Sequence, residues 1–302
     1  MNSTFKSHGK LLITGEYFVL NGAKALSIPT SYYQTLKVDK IDSKIISWKS
    51  YDNNKNIWIY GDFKLPNLEI INDSTDELLY LQKLLLEIKK LNPQIFKLKN
   101  GYKVESNMNF DRSWGLGSSS TLICNLSKWS QTDPYQLLWA VSKGSGYDIA
   151  SSIYESPIVY QINNKNPIIN KVQFKPKFHE NLFFVHLNKK QKTDDEINLF
   201  RKIITDDDVI NQISQITEDI LKCDEIVDFK NLIIKHENLT SKMLNKKTIK
   251  EKLFCDFSGE IKSLGAWGGD FALVIGDLNS SEYFKNKGYE TIISFNSMLN
   301  NS

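Results

Sequence analysis

Hydrophobic and polar positions trade places in short runs along the first forty residues. Lys10-Leu11-Leu12-Ile13-Thr14, Tyr17-Phe18-Val19-Leu20 and Gln34-Thr35-Leu36-Lys37-Val38 read as strands, with Asn21-Gly22 as a turn signal after the second. The period then lengthens. Between residues 74 and 92 leucines recur on one helical face through Leu91; Ser74 and Glu77 form a capping box ahead of them, and Asn92-Pro93 stops the run. A strand is predicted around Tyr102-Lys103-Val104, followed by helical spacing over Thr121–Leu126 and from about Pro134 to Lys143. Gly144, Gly146 and Asp148 form a loop that opens a small-residue helix and closes on the strand Ile158-Val159-Tyr160. In the last third, 182–187 is a strand, Thr193 and Glu196 make another capping box, and Lys- and Ile-rich helical patterns continue to about residue 255. A turn containing Gly265, Gly268 and Gly269 leads into a strand over 271–275. The pattern predicts an α+β chain whose last third forms a second α+β domain.

At 302 residues the chain is long enough for one large or two ordinary domains, each with its own core. Hydrophobic residues at 41% and charged residues at 24% are those of a globular protein, so disorder is not expected to dominate. The 38 basic and 35 acidic residues are spread along the chain and leave a net charge of +3, which gives no reason to invoke nucleic acid. Pairs such as Lys89-Lys90 and Lys246-Lys247 read as solvated helix surface. No N-terminal stretch has the apolar core of a signal peptide and no apolar run approaches a membrane span, so no membrane partner and a cytoplasmic location are expected. Cys124, Cys223 and Cys255 are odd in number and far apart, which suggests neither a disulfide framework nor paired zinc ligands. His8, His179, His186 and His236 show none of the close spacings of metal sites.

Three stretches carry candidate chemistry. In "RSWGLGSSST" (112–121), Gly115-Leu116-Gly117 and Ser118-Ser119-Ser120 precede a helix. A helix start offers unpaired N–H groups and a positive dipole end, and glycines let a backbone approach a phosphate closely. The same residues also suit an ordinary Ser-capped helix. Asp148 in "GSGYDIAS" reads, by itself, as a capping carboxylate. The turn of Gly265, Gly268 and Gly269 reads, by itself, as only a turn.

"SHGKLLITGEYFVLNGAKALSIP" (7–29), the Gly-Ser loop and "GAWGGD" (265–270), in that order, resemble the three motifs of the GHMP kinase superfamily. These small-molecule kinases include galactokinases, homoserine kinases, mevalonate kinases and phosphomevalonate kinases, and the resemblance covers nearly the full chain. It implies a two-domain GHMP kinase fold. An N-terminal, ATP-binding domain of the ribosomal protein S5 domain 2-like type would span 1–165, and a C-terminal ferredoxin-like domain 166–302. It also implies roles. Gly115, Leu116, Gly117, Ser118, Ser119 and Ser120 would wrap the phosphates of ATP, and Ser119 would approach Mg2+. Gly265, Gly268 and Gly269 would pack the third turn against that loop. Lys10, which on its own reads as a lysine flanking an edge strand, would sit by the γ-phosphate. Asp148 matches the family aspartate held near the acceptor.

"GSGYDIASSIYESPIVY", "GEYFVL" and the aspartate closing "GGD" look like phosphomevalonate kinases, and "GYDIA" resembles a bacterial GHMP subgroup of that name. Mevalonate kinases usually place a magnesium-binding glutamate at the position that Leu137 occupies, which points away from a typical mevalonate kinase. Trp267 stands where a glycine is usual, Trp114 precedes the loop, and a proline common there is missing; the indoles are expected to fill space at a domain interface. The expectation is an ATP-dependent kinase, a monomer or homodimer, acting on a small hydroxy acid or its phosphate, mevalonate or phosphomevalonate first. The alternatives are a GHMP kinase for homoserine or a sugar, or a non-catalytic binding protein of the same fold.

Overall fold

The computed structural model describes residues 3–97, 100–189, 206–265, 267–277 and 279–299. The capping box expected at Thr193 and Glu196 lies outside the described residues. The chain forms two compact units. The first comprises Met1–Gly9, Tyr32–Arg112 and Leu116–Ile153; the second comprises Lys10–Ser31, Ser113–Gly115 and Tyr154–Ser302.

The first unit is a sheet backed by helices. Strands β1 (Ser3–Leu12) and β2 (Ala25–Ile41) begin the chain, followed by β3 (Ile45–Tyr51), β4 (Ile57–Lys64), β5 (Glu69–Ile70) and β6 (Gly101–Met108). The spatial order β5-β4-β3-β6-β2 contains one parallel pair, β3 with β6, in which Trp48 lies opposite Val104. β3 alternates cleanly: Ile46, Trp48 and Ser50 point inward, and the Trp48 indole donates to Ser50 Oγ at 2.8 Å. Against this face lie α1 (Asp76–Leu91), α2 (Ser118–Ser130) and α3 (Pro134–Val141). α1 buries Leu78, Leu81, Leu84, Leu85 and Ile88, a stripe at helical spacing in which each leucine contributes roughly 1.5–3 kcal/mol. Gly61 of β4 permits the approach, since a Cβ there would lie 2.6 Å from Leu78 Cδ2. The cap of α1 is Thr75, whose side chain accepts from Leu78 N, rather than the expected Ser74. Both residues are hydroxyl-bearing, and the helix start is decided by which one reaches the N–H of Leu78 in the first turn.

In the second unit the first residues of β2 pair with β7 (Ile158–Asn163), which pairs in turn with β8 (Asn166–Lys171). A separate antiparallel sheet holds β9 (Leu182–His186), β10 (Glu260–Ser263), β11 (Phe271–Ile275) and β12 (Ile292–Ser294) in the order β10-β11-β9-β12. Between β9 and β10 come the helices Asp207–Leu221, Ile226–Leu244 and Ile249–Leu253; Ser280–Asn286 follows β11. Outer strands that come second and last in sequence, flanking a central antiparallel pair, give the ferredoxin-like arrangement. β9 and β11 are buried along their whole length, which is why both read as unbroken apolar runs.

One predicted strand is overturned. Tyr17–Leu20 does not extend: Phe18–Asn21 is a 3-10 turn, with Tyr17 at φ 63° before it and Gly22 at φ 89° closing it. Val19 N donates to Gly15 O, and Phe18 and Val19 are buried. A four-residue apolar run has no period to distinguish a strand from a buried helical turn.

Leu137 of α3, where the resemblance leads one to expect a glutamate, is in the first unit's core, fully buried with Leu84, Leu85 and Leu126 in the same apolar cluster. Leu137→Glu is therefore expected to lower stability by roughly 3 kcal/mol or more in urea denaturation, the cost of an unpaired buried carboxylate. A loss below about 1 kcal/mol, the effect of an ordinary surface change, would contradict the core assignment.

Candidate active site

The loop after β6 is shaped by two left-handed glycines, Gly115 at φ 67° and Gly117 at φ 90°, where a side chain would be strained. Gly117 is the N-cap of α2, and no side chain caps that helix. The first-turn N–H groups thus meet no side-chain acceptor from the cap. The hydroxyls turn the other way: Ser120 Oγ donates to Gly117 O at 2.9 Å, and Thr121 Oγ1 to Gln34 Oε1 at 2.6 Å. Leu116 and Ser120 are buried, Ser118 is half-buried and Ser119 is exposed, its hydroxyl bonded to that of Tyr80.

Within the second unit, Lys10 Nζ donates to Gly115 O at 3.2 Å. Gly115 also abuts the last residue of "GAWGGD": a Cβ on it would lie 2.3 Å from Asp270 Cγ. A Cβ on Gly265 would be 3.7 Å from Asp270 Oδ2. Gly265 and Gly268 have φ of 64° and 97°, and Gly269 is buried. Lys10, Gly115, Gly265 and Asp270 are therefore brought together. The ring of Trp114 meets Phe271 edge-on at 5.6 Å.

Asp148 lies in the first unit, in the first turn of α4 (Tyr147–Tyr154), where the helix dipole favours a negative charge. Gly146, at φ 91°, starts this helix, and its carbonyl accepts from Ala150 N at 3.1 Å. The half-buried Asp148 carboxylate accepts from Ile149 N at 3.0 Å. Its charge reaches the neighbouring Cys124 thiol, which burial above all, and then Asp148, pushes up to about 12. Cys124 is thus an inert, buried thiol rather than a nucleophile.

No protein-family model matches the chain. Over 97% of its length it is 24% identical to the mevalonate kinase of Methanocaldococcus jannaschii, 98% of which is covered. Its structure is similar to that of Methanococcus jannaschii mevalonate kinase, with a TM-score of 0.72 at 21% identity over 97% of both chains. Streptococcus pneumoniae phosphomevalonate kinase, solved with phosphomevalonate and AMPPNP, gives 0.71 at 16% identity over 97% of this chain and 99% of that one. Lactococcus lactis galactokinase, solved with galactose, gives 0.68 at 13% identity over 100% and 94%. The chain has the GHMP kinase fold.

Within the GHMP kinase fold, Trp267 has a local explanation. It is 3% exposed, packs with Tyr17, Phe18, Ile213 and Leu244, and donates from its indole N–H to Glu237 Oε1 at 3.2 Å. Glu237 belongs to a buried polar cluster in the second unit that the sequence reading missed. Lys262 of β10, wholly buried, donates to Glu16 Oε1 at 2.6 Å and to Ser263 O at 2.9 Å, and lies 3.7 Å from Glu237 Oε1. His236 Nε2 accepts from Gly15 N at 3.0 Å, so that lone pair is occupied. The 3.4 Å approach of His236 Nε2 to Glu16 Oε2 is consequently not an ion pair. Burial, helped by the Lys262 charge, holds the His236 imidazole well below its ordinary range, in agreement with a neutral ring. Glu16 sits inside the first motif, flanked by Gly15 and Tyr17, and its spacing carries no signal of burial.

Burial raises the Glu237 carboxyl to about 7, with Lys262 opposing and Glu16 reinforcing the shift. A carboxyl that keeps its proton to higher pH when folded than when unfolded favours folding at low pH, and loses that advantage as pH climbs through the folded value. Glu237→Gln, neutral at every pH, escapes this loss. The melting temperature of Glu237→Gln minus that of the wild type is expected to rise between about pH 5 and about pH 7, then level. A pH-independent difference in calorimetric scans would refute the raised carboxyl.

Proposed function

We propose that this chain is an ATP-dependent phosphotransferase acting on a small hydroxy acid or its phosphate, with mevalonate and phosphomevalonate as first candidates. The end-to-end similarity to the mevalonate kinase of Methanocaldococcus jannaschii, at 24% identity over 97% of the chain, carries this reading. The division into an ATP-binding part, 1–165, and a C-terminal part, 166–302, belongs to the same proposal.

Phosphoryl transfer asks a protein for positioning and charge neutralisation more than for covalent chemistry. The start of α2, which no side chain caps and which the left-handed Gly115 and Gly117 precede, supports assigning the ATP phosphates to Gly115–Ser120. Gly265, Gly268 and Gly269 are assigned to the same site through the contact of Gly115 with Asp270. Lys10 is assigned to the transferring phosphoryl group, where its ammonium would offset developing negative charge. Its hydrogen bond to Gly115 O keeps that charge at the loop. Among the described residues no group of three or more His, Cys, Asp or Glu side chains is placed to hold a metal ion. Magnesium is assigned as a partner of the nucleotide, with the exposed Ser119 hydroxyl as the protein contact, and it would supply charge neutralisation across the phosphates. Asp148 is assigned to the acceptor hydroxyl or phosphate, orienting it and taking its proton. Among the described residues no helix is long and apolar enough to cross a membrane.

Purified protein with magnesium-ATP is expected to release ADP in the presence of mevalonate or phosphomevalonate, and no release with either would overturn this acceptor class. Asp148→Asn keeps the shape and the bond to Ile149 N but removes the charge. Single-turnover transfer should fall roughly 10²-fold or more with ATP binding and melting temperature near wild type. Near-normal transfer would leave Asp148 a helix-start carboxylate only. Ser119→Ala, at an exposed position, should raise the magnesium concentration needed for half-maximal rate without lowering the melting temperature. An unchanged magnesium requirement would remove Ser119 from the metal.

A further inference from the structure

The turn that follows β10 is built from permissive backbone. Gly265, Gly268 and Asp270 have φ of 64°, 97° and 53°, all in the left-handed region. Its ends are tied by backbone bonds, Leu264 N to Phe271 O at 3.1 Å and Asp270 N to Lys189 O at 2.7 Å. Between these ties the glycines leave several conformations open, and the turn keeps one of them only if a contact from outside holds it. Its neighbour leaves little latitude: Asp270 lies so close to Gly115 that a Cβ there has no room. A small displacement of the turn is therefore felt at Gly115.

The side chain of Trp267 supplies such a hold. Its ring packs with Tyr17, Phe18, Ile213 and Leu244, but apolar packing alone admits more than one ring orientation. The indole N–H is more selective, because it donates to Glu237 Oε1 at 3.2 Å in the helix Ile226–Leu244. Lys262 Nζ lies 3.7 Å from the same oxygen. The cluster is costly: Glu16 Oε2, Glu237 Oε2 and Ser263 Oγ are buried without a hydrogen-bond partner among the described residues. Replacing buried ion pairs by apolar residues is often neutral or stabilising, which puts the value of this one in direction rather than cohesion.

We propose that Glu237 is a positioning residue for the nucleotide phosphates: by fixing the Trp267 indole it holds the turn 265–270 in the arrangement that fits against Gly115. The role rests on the assignment of Gly115–Ser120 to ATP. Glu237, 4% exposed, acts through Trp267 and not on ATP itself. Lys262, Glu237, Trp267, Asp270 and Gly115 all belong to the second unit.

ATP binding by calorimetry, with magnesium, without acceptor and well below the melting temperature, tests this. Glu237→Leu removes the hydrogen-bond acceptor at similar volume, and Trp267→Phe keeps an aromatic ring but removes the donor. Each should weaken ATP about 5-fold or more, the scale of one buried hydrogen bond, and the double substitution should weaken it no further than the stronger single one. Glu237→Gln keeps an acceptor and should stay within about 2-fold of the wild type. In nucleotide-free protein, amide exchange at Leu264 and Asp270 should quicken in Glu237→Leu and in Trp267→Phe. Trp267→Phe carries the test if Glu237→Leu does not fold. Phe254→Leu, in a separate apolar cluster of the same unit, should lower the melting temperature and leave ATP affinity unchanged. Equal weakening of ATP by Phe254→Leu and Glu237→Leu, or additive losses in the double substitution, would overturn the positioning role in favour of general destabilisation. Equal ATP affinity in the wild type, Glu237→Leu and Trp267→Phe would overturn it while leaving the phosphate assignment in place. Absence of ATP binding by the wild type would overturn the phosphate assignment and the positioning role with it. Unaltered exchange at Leu264 and Asp270 would show that Glu237 does not hold the turn, whether or not ATP binds.

Discussion

The buried ammonium of Lys262 holds the second unit's polar interior together. It is sealed from solvent, and a charge in that position is tolerable only while its partners surround it. Glu16 supplies the near carboxylate, from the first motif; Glu237 supplies a second, raised by burial to about 7, from the helix Ile226–Leu244. Glu237 in turn fixes the indole of Trp267, in the third turn. Segments far apart in the chain are thus tied to one cation. Hydrophobic burial of Tyr17, Phe18, Ile213 and Trp267 closes water out, and the hydrogen bonds specify which way each segment faces.

The same arrangement explains why a tryptophan is accommodated where a glycine is usual in the GHMP pattern. A glycine would leave the Glu237 carboxyl short of a donor and a void beside Phe18. The indole fills the apolar space and donates one hydrogen bond, which suits an amphipathic ring. Gly265 and Gly268, on either side of it, have their backbones in the left-handed region. Asp270 follows the turn and meets Gly115, so this glycine of the loop before α2 is constrained by the third motif's last side chain and not only by its own dihedral angles.

Much of this was legible in the sequence because it is local. The leucine stripe of α1, the strand 271–275, the α2 start after Gly117 and the small-residue helix at Asp148 follow from period, glycine placement and flanking punctuation. The Tyr17–Leu20 segment was misread because its apolar residues are too few to show a period, and Gly15 and Tyr17 bend it before a strand can form. The polar cluster was illegible for a different reason. Glu16, His236, Glu237 and Lys262 each resemble ordinary surface residues, and nothing in their spacing announces that one fold buries all four. Leu137 was noted as a missing glutamate, whereas its physical role, packing α3 into the core, appears only once the helices are assembled.

The order in which these partners leave the ribosome has its own consequence. Every segment of the first unit lies before residue 154, so that unit's strands and helices are all made before most of the second unit. Glu16 is synthesised well before His236, Glu237 and Lys262. Until those residues are made, the Lys10–Ser31 segment carries apolar side chains and an acid whose shelter does not yet exist. A nascent chain in that state is the one chaperones recognise, and interrupted synthesis would leave it exposed.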